Sequence, residues 1–111
     1  MGSYSLIATT QSRIHSRPTT KIIKRAQEYV DEHPGIRIKL KRLEPRDIPK
    51  LNDYADATEH SEIRGMSIQE GESIEVIVSG NGSKPNLKQL AEGICEQLEY
   101  DYKPLYIKDK N

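Results

Sequence analysis

The residue types with most chemistry to offer stand together in Arg13-Ile14-His15-Ser16-Arg17-Pro18-Thr19-Thr20. Ser16 is a good N-cap, and Pro18 suits a first helical turn, where its missing N–H would have no partner anyway. The stretch therefore predicts a helix that starts directly behind His15. Unpaired N–H groups of that turn point back toward the histidine and, with the positive end of the helix dipole, make an anion site. Arg17 adds a planar, permanently charged donor at the same end. A histidine beside an anion site can hold a phosphoryl group on its own ring. To accept one, the imidazole must be neutral, and both the guanidinium and the helix end disfavour its protonated form. Such a carrier needs an exposed ring and no general base of its own.

The remaining candidates carry less. His33 precedes Pro34-Gly35 at a helix end, where a histidine cation is mildly favourable, so its expected role is structural. His60 reads as an exposed residue beside a short helix. Gly80-Asn81-Gly82-Ser83-Lys84-Pro85 lacks the Gly-Lys-Ser/Thr ending of a nucleotide-binding loop and reads as a plain connection. Cys95 falls beside Ile94 and Leu98 on an apolar stripe, which predicts a buried, inert thiol. With one cysteine and three scattered histidines no zinc spacing can be assembled, and neither a metal nor a cofactor is expected. No second acid or nucleophile accompanies His15, which argues against a stand-alone enzyme.

The elements that must position His15 belong to a small chain. Its 111 residues allow one domain with one core. The absence of Phe and Trp makes that core aliphatic. No apolar run approaches the roughly 18 residues of a membrane span, and Met1-Gly2-Ser3 is followed too soon by polar residues for a secretory signal. A single cysteine excludes an internal disulfide and fits a reducing cytoplasm. The 17 basic and 17 acidic residues cancel, but residues 1–27 hold Arg13, Arg17, Lys21, Lys24 and Arg25 without one acid. A basic face there would steer anionic partners in. On charge alone, a solvated basic helix face is the simpler reading.

In chain order, Ser3–Thr9 alternates like a strand, with Tyr4, Leu6 and Ala8 on one side. Gln11–Ser16 is a polar loop. From about Arg17 to His33, Ile22, Ile23, Ala26, Tyr29 and Val30 make one helical stripe, stopped by Pro34-Gly35. Ile36–Lys41 alternates as a strand with one buried face. Pro45 and Pro49 break up Leu43–Leu51, which reads as a surface excursion. A short strand over Tyr54–Thr58 and a short helix over Glu59–Ile68 follow. Ser73–Ser79 is a strand with Ile74, Val76 and Val78 on one face, and Leu87, Leu90, Ala91, Ile94 and Leu98 mark a helix to about Tyr100. The segment 103–111 holds Leu105-Tyr106-Ile107, able to add an edge strand or to stay loose. The order β-α-β-β-α-β-α, with one apolar face per strand and one stripe per long helix, predicts an α+β open sandwich with the helices on one face of an antiparallel sheet.

That order, joined to Ile14-His15-Ser16-Arg17-Pro18 opening the first helix, resembles HPr, the histidine phosphocarrier of the bacterial sugar phosphotransferase system. Gly71-Glu72-Ser73-Ile74-Glu75-Val76 resembles the approach to that family's last strand. The resemblance covers residues 3 to about 100. It implies an HPr-like open-faced β-sandwich, a four-stranded antiparallel sheet with three helices, over 1–102, with extra residues at about 42–51 and a tail at 103–111.

By the same resemblance His15 matches the histidine that is phosphorylated, and Arg17 the arginine that contacts the phosphoryl group. Ser16, Pro18 and Thr19 fall where the family opens its helix onto the phosphate. Partner-facing positions fall at Thr20, Lys24, Ser61 and Arg64. The implied partners are Enzyme I as donor and the IIA domains of sugar permeases as acceptors, in the cytoplasm, with the chain a monomer. Arg13 replaces the family's usual glycine, and His60, Ser61, Arg64 and Gly65 stand where the family shows partners an apolar patch. Glu59 takes the place of a serine that some members use for regulation. Two other readings are a regulator that binds proteins with little phosphotransfer, and a nucleic-acid-binding module using the acid-free quarter. The zero net charge and the lack of interleaved exposed aromatics count against the second.

Overall fold

In the computed structural model, residues 2–10, 16–44, 51–81 and 83–100 are described, the side chains of 16–18, 84, 85 and 100 excepted. The expected loop with His15, most of the excursion (45–50) and the tail lie outside the described residues. The elements are β1 (Gly2–Thr9), α1 (Ser16–Glu32), β2 (Arg37–Arg42), β3 (Tyr54–Asp56), α2 (His60–Met66), β4 (Ser73–Gly80) and α3 (Lys84–Tyr100). The order is the expected β-α-β-β-α-β-α.

One antiparallel sheet in the order β1-β4-β2-β3 organises the domain. β4 is central, with Leu6 opposite Val76 on one side and Leu40 opposite Val76 on the other. The alternation of each strand sets this register, because a slip by one residue would turn every apolar side chain outward. Ala8, Ile38, Leu40, Ile74, Val76 and Val78 are accordingly buried on the helical side. The opposite face stays open and carries Ser5, Ile7, Lys39, Lys41 and Tyr54; Ile7 is 56 % exposed and Tyr54 64 %.

Each long helix buries its stripe. α1 contributes Ile22 and Ala26, with Ile23 and Tyr29 packed at the margin, and α3 contributes Leu87, Leu90, Ala91, Ile94 and Leu98. The two helices meet at Gly93, where a Cβ would overlap Tyr29 Oη. Ser83 caps α3, its Oγ accepting from the Asn86 N–H at 3.4 Å, and Pro85 lies in the first turn. The helix thus begins inside the stretch expected to be a plain connection, using the cap-then-proline pattern that the sequence also places before α1. Cys95 is buried as expected, and burial, then the charges of Glu99 and Glu92, push its thiol up to about 11.

β2 runs one residue past its expected end. Arg42 continues the period of Ile38 and Leu40 and is fully buried. Its Nε donates to Glu72, its Nη1 to the Asn52 carbonyl at 2.7 Å and to Asp53 at 3.4 Å, and its Nη2 to the Met66 carbonyl. The guanidinium so closes the C-terminus of α2, where carbonyls lack helical partners and a cation is favoured. Asn52 completes the cap. Its backbone N–H donates to the Gly65 carbonyl at 2.9 Å and its side chain to the Glu62 carbonyl at 3.4 Å. The two flanks of the excursion, Arg42 and Asn52, are therefore structural clamps on the short helix.

Candidate functional site

β1 delivers the chain to the candidate site, and its far end is firmly held. Thr10, directly after the strand, is 1 % exposed. Its N–H donates to the Glu72 carbonyl at 3.0 Å, and its carbonyl accepts from the Gly71 N–H at 2.9 Å. Its hydroxyl donates to the Gln69 carbonyl at 2.6 Å and accepts from the Glu72 N–H at 3.2 Å. Glu72 in turn accepts from the Gln69 N–H at 3.0 Å and from buried Arg42. The end of β1 is thus tied through one turn to the Arg42 cluster. Sequence reasoning missed this anchor; its signal was the period-two placement of Arg42 on the buried face of β2.

On the other side of His15 from β1 in the sequence, α1 starts at Ser16, one residue earlier than expected. Ser16 therefore belongs to the first turn instead of capping it from outside, and Pro18 stays within that turn. No acidic residue lies in the first turn, so no carboxylate competes for its N–H groups or cancels the dipole there. Thr19 is fully buried, and its Oγ1 has no hydrogen-bond partner among the described residues. A buried hydroxyl without a partner costs about 1–3 kcal/mol, so one at a helix N-terminus marks a place where a ligand oxygen would be welcome. His15 itself and the Arg17 side chain lie outside what is described.

The four expected partner-facing residues fall on two helices. Thr20 and Lys24 are exposed on α1, and Ser61 and Arg64 are exposed on α2. His60, the first residue of α2, is also exposed, and His33 is half-buried just beyond α1, its N–H donating to the Tyr29 carbonyl at 2.9 Å. Among the described residues no group of three His, Cys, Asp or Glu is placed to hold a metal, and no helix is long and apolar enough to cross a membrane.

Comparison with solved structures decides the fold. The histidine-containing phosphocarrier protein of a mycoplasma superposes with a TM-score of 0.54 at 17 % identity, over 89 % of this chain and 99 % of that one. The fold is HPr-like. HPr-C-His from Thermoanaerobacter tengcongensis gives a TM-score of 0.51 at 14 % identity, over 88 % of this chain and 96 % of that one. No protein-family model and no curated protein matches the sequence. In an HPr-like frame the described half of the candidate site is the start of α1 and the anchored end of β1.

Proposed function

We propose that the chain is a phosphocarrier that accepts a phosphoryl group on His15 from Enzyme I and passes it to IIA domains of sugar permeases in the cytoplasm. The observation that supports this most is the start of α1 at Ser16, the residue after His15, with an acid-free first turn in an HPr-like fold. A ring nitrogen of neutral His15 bonds to phosphorus as the bond from phosphorus to the donor breaks. The transferred group brings about −1.5 to −2 charges if it behaves like other phosphoryl side chains. First-turn N–H groups of Ser16 and Thr19, the Arg17 guanidinium and the buried Thr19 hydroxyl are the groups available to hold it. Pro18 offers no N–H and sets the turn. Helix-end stabilisation is worth about 0.3–1 kcal/mol when exposed and up to roughly 2 when partly buried. That modest size suits a carrier, because a group held more deeply would not be handed on. Thr20 and Lys24 on α1 with Ser61 and Arg64 on α2 form the surface offered to donor and acceptor.

Incubation with phosphoenolpyruvate and Enzyme I tests this. The expected product is a mono-phosphorylated, acid-labile chain, with no product from His15→Ala. A second reading, a regulator that binds proteins with little turnover, draws on the polar surface of α2, where His60, Ser61 and Arg64 are all exposed. A stable complex with a regulatory protein, without labelling through Enzyme I, would favour it.

A further inference from the structure

We propose that the open face of the sheet docks on an anionic lipid surface, its apolar side chains among the headgroups and its cations against lipid phosphates. Among the described residues all three helices pack on the other face, where the core lies. The large apolar side chains that stay exposed among the described residues are Ile7, Leu43 and Tyr54, and all three belong to the open face. Ile7, Glu75, Lys41 and Tyr54 stand opposite one another in a single row across β1, β4, β2 and β3. Leu43 carries the outward period of β2 into the next row, its N–H donating to the Ser73 carbonyl at 3.2 Å. The row spans three strand spacings, about 14 Å.

β2 sets a column of cations into this patch. Arg37, Lys39 and Lys41 face outward at every second position, about 6.8 Å apart, and all three are exposed. None of them forms an ion pair among the described residues. Two carboxylates share the face, and both are half-buried. Asp56 is turned to Thr58, accepting from its N–H at 2.9 Å and from its hydroxyl at 2.6 Å. Glu75 sits in the row between Ile7 and Lys41. The exposed charge of the face is therefore positive, and a negative leaflet attracts it.

The combination favours lipid over other polyanions. A nucleic acid would use the cations and stack a base on Tyr54, but it would leave Ile7 and Leu43 against water. A bilayer surface takes all of them. The aliphatic side chains reach the acyl boundary, and the tyrosine ring sits at headgroup depth. The lysine stems lie along apolar surface with their ammonium groups at the phosphates. This face shares no residue with the phosphoryl site proposed above, so either reading can fail without the other.

Co-sedimentation of the full chain with lipid vesicles tests this. The chain should pellet with vesicles of equal parts phosphatidylglycerol and phosphatidylcholine and stay in solution with phosphatidylcholine alone. Lys39→Gln/Lys41→Gln should weaken binding at least about tenfold, whereas Lys24→Gln on α1 should leave it unchanged. Ile7→Ser/Leu43→Ser should weaken it too, most clearly in moderate salt, where screening leaves more of the binding to apolar contact. All these side chains are exposed, and circular dichroism checks that each variant folds. No pelleting with the anionic vesicles, or equal pelleting of the parent and either double variant, would overturn the proposal. So would tighter capture of a single-stranded oligonucleotide than of vesicles, which would make nucleic acid the occupant. A dimer in sedimentation velocity that Ile7→Ser/Leu43→Ser dissolves would overturn it as well, in favour of a second copy.

Discussion

Arg42 and Glu72 meet inside the domain, the guanidinium fully buried and the carboxylate side chain 15 % exposed. Their hydrogen bond links the end of β2, the C-terminus of α2 through Met66 and Asn52, and the end of β1 through Thr10. Three separate chain segments are set by one pair of side chains. That pair underlies the strand end from which the chain leaves for His15.

Removing one member should therefore be costly. Arg42→Met should destabilise the fold by about 3–5 kcal/mol, because Glu72 and the carbonyls of Asn52 and Met66 lose their donor. The double variant Arg42→Met/Glu72→Gln should recover part of that loss. Urea unfolding checks both, and equal stability of the single variant and the parent would refute the role of the cluster.

Gly93 should resist even the smallest side chain. Gly93→Ala places a methyl group on Tyr29 Oη and should cost about 1–3 kcal/mol by forcing α1 and α3 apart. Tyr29→Leu should relieve part of that cost. A thermodynamic cycle with no coupling between the two positions would contradict the close crossing.

Thr19→Val removes a buried hydroxyl that has no partner among the described residues and keeps the shape of the side chain. Stability should be unchanged or higher by up to about 1–3 kcal/mol. If that hydroxyl serves the phosphoryl group, the phosphorylated valine variant should lose its label faster than the parent. A marked loss of stability would mean that the hydroxyl has an internal partner after all.

Cys95 sets a pH dependence. Burial, then Glu99 and Glu92, raise its thiol from an ordinary 9.0 to about 11, so the folded state retains a proton that the unfolded state releases. Its contribution is fully present below pH 9 and is lost as the pH rises through 11. Comparing Cys95→Ala with the parent between pH 8 and 11 isolates it: the parent should lose stability more steeply. Thiol reagents at pH 8 should react slowly with the folded chain and promptly in urea; prompt reaction of the folded chain would contradict burial.

Much of the architecture was legible because period and partner agreed. Tyr4, Leu6 and Ala8, or Ile74, Val76 and Val78, define a strand face without further help, and Ile22 with Ala26 places α1 on that sheet. The boundary of β2 was not legible by composition, since Arg42 has the charge of a loop residue and the position of a core residue. Only a count of every second residue reveals it, and only the later Glu72 explains it. Thr10 was hidden for a similar reason, its partners lying some sixty residues away. Within the candidate site, the helix start behind His15 followed from Ser16 and Pro18 to within one residue. The full burial of the Thr19 hydroxyl depends on packing and leaves no trace in the sequence.

The central claim concerns one imidazole, and peptide-resolved mass spectrometry after transfer from phosphorylated Enzyme I tests it most directly. The account predicts one phosphoryl group per chain, carried by the peptide containing His15, removed by acid and absent from His15→Ala. A label that survives acid, maps to a serine or threonine, or persists in His15→Ala would contradict it.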